Sequence, residues 1–190
     1  MDVAVKPTVK RMKFDVHAYH QLIASGILPP DQKVELIDGE IIEMSPVNSL
    51  HAGIVKKISR LFYSNTNSQE IIVSVQDPIL LDEYSEPQPD LALLQYRADI
   101  YTKSHPSPEE ILLLVEVSNS TLDIDKKIKL PLYAQASIPE VWIINLVDEQ
   151  VEVYSKPKHQ IYTQTNIYQA GDIVANTFLP ELKVDDIFIP

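Results

Sequence analysis

Apolar positions along the chain alternate between a helical and a strand-like period. From Asp15, a residue suited to capping a helix, Val16, Tyr19, His20 and Ile23 recur at helical spacing to about Ser25, and Gly26 follows as a stop. Residues 31–38 then lead into Gly39-Glu40-Ile41-Ile42-Glu43-Met44, where Asp38-Gly39 before a β-branched pair predicts a hairpin turn entering a strand. Asn48 caps a second predicted helix to about Tyr63. Its apolar stripe is Leu50, Ile54, Ile58, Leu61 and Phe62, with Lys56, Lys57 and Arg60 facing out.

Strands are predicted at 71–75, 79–81, 90–95 and 111–118. The run Ile-Leu-Leu-Leu-Val-Glu-Val lacks alternation, as a central strand covered on both faces should. A helix from about Asp125 to Gln135 comes next and places Asp125, Lys129 and Tyr133 on one face, with Ile128, Leu132 and Ala136 as the adjoining core stripe. Pro131 contradicts that helix locally, because an interior proline lacks a backbone donor and tends to kink. Val141-Trp142-Ile143-Ile144 reads as a buried strand, and Gln150 to Tyr154 as a solvent-edged strand paired with it through the Asp148-Glu149 turn. Short strand and loop are expected from Ile161 to Pro190, and a loosely ordered N-terminus over residues 1–11.

With 190 residues, 45% of them hydrophobic, one domain over 12–190 is expected. There is no cysteine, which excludes thiol nucleophiles and thiolate metal sites. The longest apolar run, Ile111 to Val115, is too short for a bilayer, and the opening residues lack the apolar segment of a signal peptide. A cytoplasmic protein without membrane contact is expected. Four glycines leave no phosphate-cradling loop, and no Gly-x-Ser-x-Gly elbow is present.

Two carboxylates interrupt this apolar background. Asp90 opens the apolar run Leu91-Ala92-Leu93-Leu94, and Glu116 lies within another, where an unpaired charge is costly and calls for a metal, a base or a partner. Two hard oxygen ligands suit Mg²⁺ or Mn²⁺, with the Val117 carbonyl as a third. Lys129 could orient or deprotonate a water or stabilise an oxyanion, and Glu35 would be an outer ligand. Each has a plainer reading. Asp90 after Pro89 is commonly a strand-start aspartate, Glu116 could pair with Lys129, and His51 is more often a solvated or core histidine than a base.

The order VELIDGEIIEMSP, His51, PQPDLALL, LLVEVSNST, Asp125…Lys129…Tyr133 and SIPEVWIINLVDEQVEVY resembles the Uma-two family of restriction-endonuclease-like proteins, within the PD-(D/E)XK nuclease superfamily. The likeness spans roughly residues 12–155. It implies an α/β fold whose mixed β-sheet core is flanked by helices, with an extra N-terminal β-hairpin and C-terminal strands. It further implies metal-binding roles for Asp90 and Glu116, an accessory role for Glu35 and the catalytic lysine role for Lys129. A superfamily Glu-x-Lys would put lysine where Ser118 stands, so the lysine has moved to the following helix, with Lys126 or Lys127 as the fallback.

The resulting expectation is a metal-dependent DNA endonuclease hydrolysing phosphodiester bonds. The alternatives are a catalytically silent DNA- or protein-binding module on the same fold, and a metal-dependent hydrolase acting on something other than nucleic acid. The net charge of −11 bears on the partner. Twelve of the sixteen Lys and Arg fall in four groups: Lys6/Lys10/Arg11/Lys13, Lys56/Lys57/Arg60, Lys126/Lys127/Lys129 and Lys156/Lys158. DNA binding is therefore expected to be weak and salt-sensitive. Superfamily members often work as dimers, which leaves a homodimer open.

Overall fold

The computed structural model describes residues 11–29, 31–179 and 182–188. Most of the N-terminal segment expected to be loosely ordered, with Lys6 and Lys10, lies outside these.

Helix α1 (Val16–Ala24) starts where the Asp15 side chain accepts the Ala18 N–H at 2.7 Å. Strands β1 (Val34–Ile37) and β2 (Glu40–Glu43) form a two-stranded antiparallel hairpin around Asp38-Gly39. Both turn residues have left-handed φ, 48° and 77°, as a two-residue turn matched to strand twist requires. Helix α2 (Ser49–Asn65) is capped by Asn48, whose side chain accepts the His51 N–H at 2.9 Å.

The main sheet has six strands in the order β3-β4-β5-β6-β7-β8. They are β3 (Ile71–Val75), β4 (Leu91–Gln95), β5 (Ile111–Ser118), β6 (Glu140–Asn145), β7 (Gln150–Lys158) and β8 (Ile161–Tyr168). All neighbours are antiparallel except β5 and β6. That parallel pair needs a crossover, which is helical: α3 (Leu122–Ile124), a π turn (Asp125–Lys129) and α4 (Leu130–Gln135). A short helix α5 (Asp185–Phe188) closes the described chain.

Each face of the sheet is covered. Ile54, Val55, Ile58 and Phe62 of α2 pack on Val73, Leu93, Leu113, Val115, Trp142 and Ile144, with Val174, Leu179, Leu182, Val184 and Ile187 sealing the same side. On the other face Tyr133, Ala92, Leu114 and Val141 cluster with Ile79 and Leu81. Double coverage explains the unbroken apolar run of β5, which sits in the middle of the sheet.

Several sequence expectations change. The segment 79–81 joins no sheet: Ile79 and Leu81 are buried, but their N–H groups donate to Pro87 O and Ser85 O within a loop. Strand β7 runs to Lys158 and is not solvent-edged, because β8 pairs outside it. On α2, Leu50 is exposed, apart from the buried part of its stripe.

The crossover is continuous helix despite Pro131. The Leu130 N–H donates to Asp125 O, five residues back, so the widened turn falls just before the proline and accommodates its missing donor. Ile128, inside the wide turn, is 42% exposed instead of lining the core, whereas Leu132 and Ala136 pack against the core beside the buried Tyr133 and Ala134. Asp125, Lys129 and Tyr133 do share one buried face.

Candidate active site

Strand register sets the centre of the site. In the antiparallel β4–β5 pair Leu91 stands opposite Val115, which puts Asp90 across from Glu116 one step beyond the ladder. The Asp90 carboxylate caps that edge: Oδ2 accepts the Val117 N–H at 2.8 Å, and Oδ1 accepts Gln76 Nε2 at 3.1 Å. Oδ2 also meets His51 Nε2 at 3.0 Å, from the first turn of α2.

Glu116 points to the opposite helical layer. It is 4% exposed, its Oε1 accepts Tyr133 Oη–H at 2.5 Å, and Lys129 Nζ lies 3.3 Å from the same oxygen. Lys129 is equally buried and reaches Glu35 Oε2 at 3.1 Å. Glu35 comes from the separate hairpin. The backbone pairing of Leu36 with Glu86 ties β1 to the segment before Asp90, and the Gln88 N–H donates to Glu35 Oε2 at 3.1 Å. Gln88 Nε2 also donates to Gln76 O, knitting the two loops together.

The four residues singled out from sequence thus come from four separated segments to one cleft of about 80 Å³, whose walls include His51, Gln76, Val117 and Asp125. The fallback lysines are elsewhere: Lys126 Nζ pairs with Glu152 Oε1 at 2.7 Å and Lys127 with Asp123 at 2.8 Å. Neither lines the cleft.

Charge is unbalanced in this cleft. Burial pushes the Glu116 carboxyl well up from its ordinary range; Lys129 opposes that, while Asp125 and Asp90 add to it. Burial also works against the Lys129 ammonium, but Glu116, Glu35 and Asp125 outweigh it and hold the group above its usual value. Burial raises Asp125 too, although Lys129 and a 2.7 Å hydrogen bond from Ser118 Oγ counter it. One ammonium therefore serves several carboxylates, an arrangement that an added cation would relieve.

The donor set suits a hard divalent ion. Asp90 Oδ1, with one hydrogen bond, keeps lone-pair capacity, and Glu116 and the Val117 backbone adjoin it. Among the described residues no three His, Asp or Glu form a metal cage. Mg²⁺ commonly uses one or two carboxylates and completes its shell with water and phosphate oxygens, so this set fits it.

Sequence reasoning left several contributors without a role. His51 hydrogen-bonds Asp90, which raises its pKa against the lowering effect of burial, and its buried Nδ1 has no partner among the described residues. Tyr133 was on the right helical face, four residues beyond Lys129, but its contact with Glu116 needs the tertiary fold. Gln76 and Gln88 carry no sequence signal, because their work depends on two loops meeting.

Among curated proteins none matches this chain. A crystal structure described as "a putative nuclease belonging to DUF820 from Anabaena variabilis ATCC 29413" superposes with a TM-score of 0.70 at 14% identity, over 92% of this chain and 97% of that one. At that identity the likeness establishes the fold, a mixed α/β architecture shared with that protein. The model of the Uma2 family, described as "Putative restriction endonuclease", matches residues 16–186, and the chain belongs to that family.

Proposed function

We propose that the protein is a divalent-metal-dependent endonuclease that hydrolyses phosphodiester bonds in DNA. The observation that carries this reading is the convergence of Glu35, Asp90, Glu116 and Lys129 on one cleft from four segments far apart in sequence. Membership of the Uma2 family, described as "Putative restriction endonuclease", supports it.

Asp90 and Glu116, with the Val117 carbonyl, would hold Mg²⁺ or Mn²⁺. When bound, such an ion neutralises phosphoryl charge and makes water more acidic. The chain's own residues do the positioning. His51, the Val117 N–H and Gln76 fix the Asp90 carboxylate from three directions. Tyr133 fixes Glu116. Lys129 has three N–H donors and directs two at Glu35 and Glu116, which leaves one to orient the attacking water or to meet a non-bridging phosphate oxygen. Glu35, held by the Gln88 N–H, keeps the ammonium over the cleft. Water oxygen adds to phosphorus as the bond to the leaving sugar oxygen breaks; the attacking water gives up one proton to solvent and the leaving oxygen takes one from it.

The test is cleavage of plasmid and linear DNA with Mg²⁺ or Mn²⁺, beside the same reaction with chelator. Cleavage is expected only with metal, and Asp90→Asn, Glu116→Gln and Lys129→Ala should each abolish it. Calorimetry gives an independent readout. Asp90→Asn and Glu116→Gln should weaken Mn²⁺ binding, and unchanged affinity in both would overturn the metal assignment. The buried contact between Lys129 and Glu116 favours a second reading, a silent DNA-binding module in which the pair is structural. DNA binding with no metal-dependent cleavage would select it.

A further inference from the structure

A second, larger groove adjoins the candidate site and shares Val47 and Gln76 with it. It encloses about 620 Å³ between one flank of α2 and β3, the edge strand of the sheet. Positions 52, 55, 56, 59, 60 and 63 recur at helical spacing, so a single face of α2 forms its wall. Ala52 and Ser59 are small and keep the floor open. Tyr63 is 61% exposed, and its hydroxyl donates to Val73 O at 3.2 Å, which holds the ring along the edge strand.

The charge of this groove runs against that of the chain. Among the described residues no Asp or Glu lines it, whereas Lys56 and Arg60 do. Those two cations stand one helical turn apart, and among the described residues neither is in an ion pair.

We propose that this groove binds a single-stranded DNA segment leading away from the scissile phosphate, with an unstacked base against Tyr63 and the apolar wall and backbone phosphates on Lys56 and Arg60. The proposal rests on the nuclease reading of the adjoining cleft and adds a substrate class to it: frayed, flapped or single-stranded DNA in preference to continuous duplex. The chemistry favours a splayed strand. A duplex keeps its base faces stacked and offers chiefly phosphates and groove edges, which an apolar groove with an aromatic wall cannot use. An exposed base has a π-face for Tyr63, and a cationic rim beside an aromatic platform is how single strands are held without sequence preference.

Fluorescence anisotropy of the full chain with chelator present tests this, using a labelled oligonucleotide as single strand and as blunt duplex of equal length. Single-strand binding should be at least tenfold tighter. Tyr63→Ala should weaken it on the order of tenfold, as loss of a stacking platform does, whereas Tyr63→Phe should preserve it. Lys56→Ala and Arg60→Ala should each make the slope of log affinity against log salt shallower by about 0.7. Equal affinity for the two forms, or single-strand binding untouched by Tyr63→Ala and by both cation variants, overturns the proposal. A cleavage assay with Mg²⁺ separates the two ideas. Duplex cleavage insensitive to Tyr63→Ala, with no preference for flapped substrates, refutes the groove and leaves the nuclease. The expected binding without cleavage of any DNA refutes the nuclease and leaves the groove.

Discussion

Replacing Lys129 with methionine keeps most of the side-chain volume and removes the one ammonium that Glu35 and Glu116 share. At separations of 3.1 and 3.3 Å each attraction is about 5 kcal/mol at an effective dielectric near 20. Burying the ammonium offsets much of that, so the net contribution is smaller. Deleting one partner is worse than deleting both, because it strands buried charge, and costs about 3–5 kcal/mol. Lys129→Met should therefore destabilise by roughly that amount at pH 7.5. Glu116 supplies the sign of the pH effect. Its folded pKa is already raised, and loss of the lysine raises it further; a raised carboxyl stabilises the fold at low pH and that contribution is lost as pH rises. The Lys129→Met deficit should accordingly shrink between pH 7.5 and 5. The double variant Lys129→Met/Glu116→Gln should recover at least about 1.5 kcal/mol relative to the summed single losses. Urea unfolding reads all four proteins through Trp142, the sole tryptophan, which is fully buried edge-on to Phe62. Strict additivity within about 0.5 kcal/mol, or a Lys129→Met loss below about 1 kcal/mol, would refute the shared-ammonium argument.

Other outcomes follow from the same geometry. His51→Ala removes a donor that fixes Asp90, and calorimetry should show Mn²⁺ affinity about 10–100-fold lower with the melting temperature little changed. Burial pushes Glu152 up, but hydrogen bonds from Lys126, Tyr154, Asn145 and Gln150 outweigh it and hold the carboxyl at about 2. A depressed pKa contributes stability above the ordinary range and loses it as pH falls through the folded value. The parent should thus lose up to roughly 3 kcal/mol between pH 5 and 2 that Glu152→Gln does not lose, as urea midpoints across pH would reveal. Gly39→Ala places a side chain at a φ of 77° with its Cβ 2.6 Å from that of Lys13, and should cost about 1–3 kcal/mol in a thermal melt. Activity should fall as well, since that hairpin carries Glu35.

Local signals made much of the architecture legible. Asn48 and the stripe from Ile54 to Phe62 specified α2, Asp38-Gly39 specified the hairpin, and the apolar run at 111–117 specified a central strand. Asp90 and Glu116 were legible as charges set in apolar runs, whereas the roles expected of Glu35 and Lys129 came with the family resemblance. What escaped depends on contacts between distant segments. Residues 79–81 have the composition of a strand, but the neighbouring loops take up their backbone groups. The π turn escaped because period-3.6 reasoning cannot register an extra residue, and this misplaced Ile128 while leaving Lys129 on its face. His51 looked like an ordinary helix residue, since its partner Asp90 lies 39 positions away.

A π turn stores one surplus residue, and so uncouples the azimuth of the helix on either side of it. Each residue of an α-helix advances about 100° around the axis, and the wide turn absorbs one such step before α4 begins. The downstream half is anchored by Tyr133 and Ala134 in the core, and Lys129 travels with that half. Asp125 and Lys126 belong to the upstream half, which is moored separately to Ser118 and Glu152. A one-residue deletion within the turn would consequently swing Asp125 and Lys126 off their moorings while the ammonium of Lys129 stayed between Glu35 and Glu116. A deletion in this crossover thus has a built-in buffer, and the segment can lose one residue without a change in where its lysine points.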